Sequence, residues 1–213
     1  LLNALYVFQG KVVSKERLAQ EACEIEIDIL GEPIGKQDQY AAAYGNINHI
    51  QFNRDETVAV TPILLTESAK MKLENSLCLY YAGGKRSTRE ILTEQRDNIS
   101  RKDKFENLEK IVSLVDALRD ALHEGRIDDV GEILHRGWLF KKDLASGISR
   151  RDIDILYNRA MERGAKGGKL LGAGGTGFLL IYSENHESLK KYLGRRTLPF
   201  RLDREGTKIL FYE

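Results

Sequence analysis

Apolar residues recur at helical spacing from the first position. Leu1, Leu5 and Phe8 share a face, and Gly10 ends the run. Ser14 stands where an N-cap is expected, and Leu18, Ala22, Ile25 and Ile29 predict a helix over residues 15–30. Gly31-Glu32-Pro33-Ile34-Gly35 is turn chemistry, after which Lys36 to Tyr44 forms a short helix with Gly45 as a left-handed cap. Ile47–Phe52 and Val58–Ile63 flank Asn53-Arg54-Asp55-Glu56 and predict a hairpin, and Asn75 to Tyr81 predicts a strand closed by Gly83-Gly84.

The pattern then turns helical. Phe105, Leu108, Ile111, Val112, Val115, Leu118 and Leu122 form one stripe, Ile127, Val130, Leu134 and Trp138 a second, and Ile153, Leu156 and Ala160 a third, all expected in the core. Strand character returns at Phe178–Tyr182, Leu198–Leu202 and Lys208–Tyr212, with a helix near 187–194. The class is mixed α+β, with a domain junction around residues 62–74, no internal repeat and no low-complexity segment.

Composition narrows the partners. Among 213 residues, 33 Lys and Arg stand against 32 Asp and Glu, so the net charge of +1 gives no reason to expect nucleic acid or an anionic membrane. Two cysteines, Cys23 and Cys78, build neither a disulfide framework nor a four-ligand zinc site, and point to a reducing, cytoplasmic setting. No run approaches the roughly 20 apolar residues that span a bilayer. The chain opens inside a helix without a Met, which leads us to expect a preceding segment.

Three features carry candidate chemistry. At 100° per residue, Glu26 falls in the middle of the apolar arc made by Leu18, Ala19, Ala22, Cys23, Ile25, Ile29 and Leu30. An inward carboxylate must be paired, neutralised or bound to a metal, unless the helix stops before it. Asp38, in Gly35-Lys36-Gln37-Asp38-Gln39-Tyr40, sits in the first turn of the short helix. There the dipole favours its ionised form, which suits a proton acceptor and equally suits simple helix stabilisation. Gly172-Ala173-Gly174-Gly175-Thr176-Gly177 matches the dinucleotide fingerprint in letters, but a strand rather than a helix follows it, and neither a Walker A lysine nor the protein-kinase motifs are present. The run is either a nest of backbone N–H groups for an oxyanion or a tight connection under close packing.

Together, Glu26, the Gly31–Gln39 string and the stretch from Gly168 to Phe178 resemble the GHMP kinase superfamily. Within it, Gly35-Lys36-Gln37-Asp38-Gln39-Tyr40-Ala41-Ala42-Ala43-Tyr44-Gly45, Trp138 with Lys141 and Lys142, Ile148-Ser149, Gly164-Ala165-Lys166-Gly167-Gly168-Lys169 and Leu198-Pro199-Phe200 resemble the heptose 7-phosphate kinase subgroup. The resemblance implies a two-domain α+β architecture. Residues 1–65 would be the remainder of an S5-like N-terminal domain, and 66–213 a ferredoxin-like C-terminal domain with inserted helices. It implies an ATP-dependent sugar kinase using Mg²⁺, with Asp38 as the catalytic carboxylate, Glu26 as the metal ligand, and phosphoryl transfer to the anomeric hydroxyl of a heptose 7-phosphate. Substrate or phosphate contacts would come from Gly35, Lys36, Gln37, Arg86, Gly172, Gly174, Gly175, Thr176 and Gly177. A fucose- or galactose-type acceptor, or a non-catalytic binding protein on this fold, are the alternatives. Thr176 stands where the family pattern has glycine, and Ala82 where a threonine is expected. The family's phosphate loop of the form Pro-x-x-x-Gly-Leu-Gly-Ser-Ser has no counterpart here. The resemblance therefore implies that the chain lacks the upstream segment of the same protein and is inactive alone.

Overall fold

The structure, a computed structural model, describes residues 1–84 and 88–211. The chain divides into two units: Leu1–Leu64 with the segment from Leu202 onward, and Leu65–Arg201.

In the first unit, α1 (Leu2–Phe8) precedes α2 (Lys15–Cys23), whose cap is the Ser14 hydroxyl accepting from the Arg17 N–H at 3.1 Å. The predicted helix does not run as one α-helix to residue 30. From Glu24 to Ile29 it is π-helical, and α3 (Gln37–Tyr44) follows the turn. Alanine-sized and aromatic side chains let α2 and α3 pack closely: Ala19 is fully buried, with Cys23, Tyr40 and Ala43 around it. The hairpin forms from β1 (Asn48–Phe52) and β2 (Val58–Pro62), antiparallel, with Ile50 opposite Val60. Its Ile50, Val58 and Val60 close the small core, and the Phe52 ring meets Tyr40 edge-on at 5.8 Å.

Gly45 ends α3 with φ 65° and ψ −172°, which is not the left-handed helical cap expected. The reason is tertiary. The C-terminal segment returns to this unit, with Asn46 N–H donating to the Asp203 carbonyl and Thr207 N–H to that of Ala43. A Cβ at Gly45 would stand 2.1 Å from the Gly206 nitrogen. Residues 208–211 pair with no strand among the described residues, correcting the strand expected at Lys208–Tyr212, whose last residue lies outside them.

The second unit is built on an antiparallel sheet of order β4-β5-β3-β6. It comprises β3 (Leu77–Gly83), β4 (Gly167–Leu170), β5 (Gly177–Tyr182) and β6 (Thr197–Pro199). The helix α4 (Glu67–Ser76) includes Asn75, so the strand begins two residues later than the pattern suggests. Around the sheet lie α5 (Thr88–Asn98), α6 (Lys102–His123), α7 (Asp129–Lys142), α8 (Arg151–Glu162) and α9 (His186–Leu193). The stripes on α7 and α8 are core as expected: Val130 is buried, and Trp138, Ile153, Leu156 and Ala160 are buried with Leu179, Ile181 and Tyr80 of the sheet. On α6 the expectation fails in part. Leu114, Ala121 and Leu122 are buried, while Phe105, Val112 and Val115 are about half exposed or more, because the buried face is turned away from the predicted stripe toward Leu114 and Ala121, which lie outside it. The helix α7 approaches β4 at backbone distance, since a Cβ on Gly167 would lie 1.9 Å from the Gly131 carbonyl oxygen.

His186 fastens this sheet to α4. Its Nε2–H donates to the Ser76 carbonyl at 2.9 Å, and its Nδ1 accepts from the Tyr80 hydroxyl at 2.9 Å. Burial pushes its pKa below the ordinary 6.5. The unfolded chain therefore binds a proton that the native imidazole resists. Stability supplied here is complete above pH 6.5 and declines as pH falls below it. Chemical denaturation between pH 7.5 and about 5, above the range where carboxylates protonate, is expected to show this decline, and His186→Gln to flatten it.

Candidate functional site

The two carboxylates picked out in the sequence meet in the first unit. Both Glu26 and Asp38 are exposed, and both line an open cleft of about 490 Å³. Its apolar walls include Leu2, Leu18, Ala22, Ile25 and Ala42, and its other polar groups are Asn3, Gln39 and Thr207.

The placement of Glu26 corrects the inward position read from the helical wheel. That reading assumed 100° per residue, and the backbone abandons this period after Cys23. Hydrogen bonds now close wider rings, Leu30 N–H to the Ile25 carbonyl and Glu32 N–H to that of Glu26, both at 3.0 Å. Glu26 stands exposed in the cleft beside Leu18, Ala22 and Ile25 of the same stripe, while Ile25 and Ile27 are half-buried and Ile29 and Leu30 mostly exposed. One carboxylate oxygen, Oε2, accepts a short hydrogen bond from Gln39 Nε2.

Asp38 occupies the first turn of α3, where the helix dipole supports its negative charge. Its neighbours have different surroundings. Lys36 begins the helix and turns its ammonium onto Glu56, which raises the lysine's pKa. Gln37 is exposed. Gly35 has no atom within 4 Å of where a Cβ would be, so its small size leaves open space beside the helix start. Gln39 is buried, and its Oε1 has no hydrogen-bond partner.

Among the described residues no group of three or more His, Cys, Asp or Glu could hold a metal ion. The cleft nevertheless fits a hard cation of the Mg²⁺ kind, which takes one or two carboxylates and completes its shell with water and substrate phosphates. Glu26 and Asp38 supply that number, and the unpartnered Gln39 oxygen marks the cleft wall as polar beyond what the protein itself satisfies.

In the second unit the glycine run is drawn against its own scaffold. The Gly175 N–H donates to the Ile148 carbonyl at 2.9 Å, and a Cβ on Gly174 would lie 2.6 Å from the Ile148 Cα. Close packing therefore accounts for both. Gly172 and Gly177 also have positive φ, at 77° and 104°; Gly172 faces open space, a Cβ on Gly177 would only touch the Leu171 carbonyl oxygen at 4.0 Å, and Lys141 Nζ donates to the Gly172 carbonyl at 2.7 Å. Thr176 fits because its φ is not positive, and its hydroxyl donates to the Gly84 carbonyl at 3.0 Å. Ala82 is buried on β3, and Arg86 lies outside the described residues.

Sequence reasoning missed Asn3, Gln39 and Thr207 as cleft residues. Asn3 Nδ2 donates to the Thr207 hydroxyl at 3.3 Å across 204 positions of sequence, a pairing no local pattern contains. Gln39 could have been found as the one amide on the buried side of α3 beside Tyr40 and Ala43.

The chain is similar to known proteins. Residues 118–199 match the family described as GHMP kinases C terminal. The chain carries the mixed helix-and-sheet fold of the GHMP kinases. The particular relatives are sugar kinases. A D-glycero-alpha-D-manno-heptose 7-phosphate kinase of Campylobacter jejuni is 29% identical over 175 residues, covering 82% of this chain and 51% of that protein. A galactokinase of Pyrococcus furiosus is 28% identical over 228 residues, covering 92% of this chain and 62% of that protein. The crystal structure of a D-glycero-D-manno-heptose 1-phosphate kinase from Bacteriodes thetaiotaomicron superposes with a TM-score of 0.74 at 26% identity, covering 99% of this chain and 60% of that one. The chain thus spans between about half and three fifths of these relatives' length.

Proposed function

We propose that the protein containing this chain is an ATP-dependent sugar kinase that phosphorylates the anomeric hydroxyl of a heptose 7-phosphate. The observation that carries the reading is the convergence of Glu26 and Asp38, twelve residues apart and on different elements, in one cleft. Asp38, charged and at a helix start, accepts or orients the proton of the acceptor hydroxyl at a carboxylate oxygen. Glu26 offers the oxygen that Gln39 leaves uncommitted to a cation. Mg²⁺ held there supplies neutralisation of charge on the transferred phosphoryl group. Positioning does the rest. In the second unit, Gly172, Thr176 and Gly177 are the parts of the glycine run open to a ligand, with Gly174 and Gly175 shaping the turn.

Likeness to the heptose kinase of Campylobacter jejuni supports the choice of acceptor. A galactose-type acceptor is the second reading, favoured by the galactokinase likeness over 92% of the chain. The test is ADP release by the complete gene product with Mg²⁺·ATP and a panel of sugars. Heptose 7-phosphate is expected to exceed free galactose and fucose in kcat/KM by at least about 100-fold, the margin a buried polar contact to one acceptor group gives. A preference for free galactose replaces the acceptor, and no turnover of any sugar overturns the kinase reading.

A further inference from the structure

The cleft contains one side chain whose orientation is fixed against its own hydrogen-bonding interest. Gln39 is 7% exposed, and its amide could turn in either sense. As placed, Nε2 donates to Glu26 Oε2 and Oε1 is left buried without a donor. The opposite sense would set the amide oxygen against a carboxylate oxygen, two acceptors face to face. The Glu26 carboxylate thus pins the amide, at the cost of an unsatisfied buried acceptor, which proteins tolerate mainly where function demands it.

Two consequences follow. The Gln39 side chain ties the π-helical turn that carries Glu26 to the helix α3 that carries Asp38, so one hydrogen bond sets the spacing of the two acids. It also commits Oε2, and among the described residues no hydrogen bond or ion pair engages Glu26 Oε1, which is left to face a cation in a single orientation. A π-helical segment has looser geometry than an α-helix and needs such a tether to hold a side chain in one direction.

We infer that Gln39 is a positioning residue, which orients the Glu26 carboxylate for a divalent cation by donating Nε2–H to Oε2 while never touching the cation itself. The inference rests on the kinase reading above, in which Glu26 is the cation ligand. Partners of this kind behind a metal ligand are worth about 10- to 100-fold in metal affinity or activity.

The experiment measures Mn²⁺ binding to the complete gene product by electron paramagnetic resonance, with Gln39→Leu, Gln39→Met, Glu26→Gln and the double variant Gln39→Leu/Glu26→Gln. Both Gln39 variants preserve side-chain volume, so the second stands in if the first fails to fold. Each is expected to weaken Mn²⁺ at least about 10-fold, and to raise the Mg²⁺ concentration that half-saturates turnover by a similar factor while leaving KM for the acceptor sugar unchanged. In the Glu26→Gln background, Gln39→Leu is expected to change Mn²⁺ affinity no further, because the only route from Gln39 to the metal is gone. Wild-type Mn²⁺ affinity in both Gln39 variants, with affinity lost in Glu26→Gln, overturns the inference and leaves the kinase reading standing. Wild-type affinity in Glu26→Gln removes Glu26 as the ligand and overturns both.

Discussion

Asp38→Asn in the complete gene product is expected to reduce kcat by roughly 100- to 10,000-fold, the range of a lost general base. Asparagine keeps the size of the side chain but cannot accept the proton of a sugar hydroxyl. Little else should change. Asp38 is exposed at the start of α3, so the fold loses only its favourable interaction with the helix dipole, about 0.3–1 kcal/mol. The KM for ATP is expected to stay within about threefold, since the lost interaction forms with the acceptor in the transition state. Steady-state kinetics with a thermal melt on the same sample separate the two effects. Near-normal turnover by Asp38→Asn removes Asp38 from the chemistry.

The second large effect falls on the fold around the same cleft. Gly45→Ala is expected to destabilise the first unit by about 3 kcal/mol, from overpacking and a backbone conformation essentially reserved for glycine. The added methyl would meet the backbone at Gly206 N, Gly206 Cα and Glu205 C, at 2.1, 2.6 and 2.8 Å, none of which can swing aside as a flexible side chain would. The returning segment must then lift, taking the Thr207 hydroxyl out of the cleft. Gly35→Ala is the internal control. With no atom within 4 Å of its Cβ and no positive φ, it is expected to alter stability by less than about 0.5 kcal/mol. Urea denaturation read by hydrogen exchange at the Asn46 and Thr207 amides reports both. Equal stability of the two variants would mean the segment is not held at Gly45.

Much of this molecule is visible in local pattern. The stripes on α7 and α8 predict the core around Trp138 and Leu156 because a helix packed on a sheet buries one face, and one face has one period. The hairpin is readable because alternation and a polar loop are both local properties. The glycine run was left between a ligand nest and tight packing. The packing of Gly174 and Gly175 on Ile148 is visible only once a residue 26 positions away lies against them. The α6 stripe misleads because the buried face of that helix is turned toward Leu114 and Ala121, outside the predicted stripe.

By itself the sequence determined the class of fold, most elements, and the two acids in the company that resembles a sugar kinase. Tertiary structure alone decided where those acids point. Glu26 is exposed because part of the apolar arc it shares with Leu18, Ala22 and Ile25 lines an open cleft, Gln39 is pinned by a carboxylate from another element, and Thr207 reaches the cleft on a segment that returns from the far end of the chain. Side-chain direction depends on which backbone partners a turn selects and on contacts across hundreds of residues, neither of which is encoded in a local period.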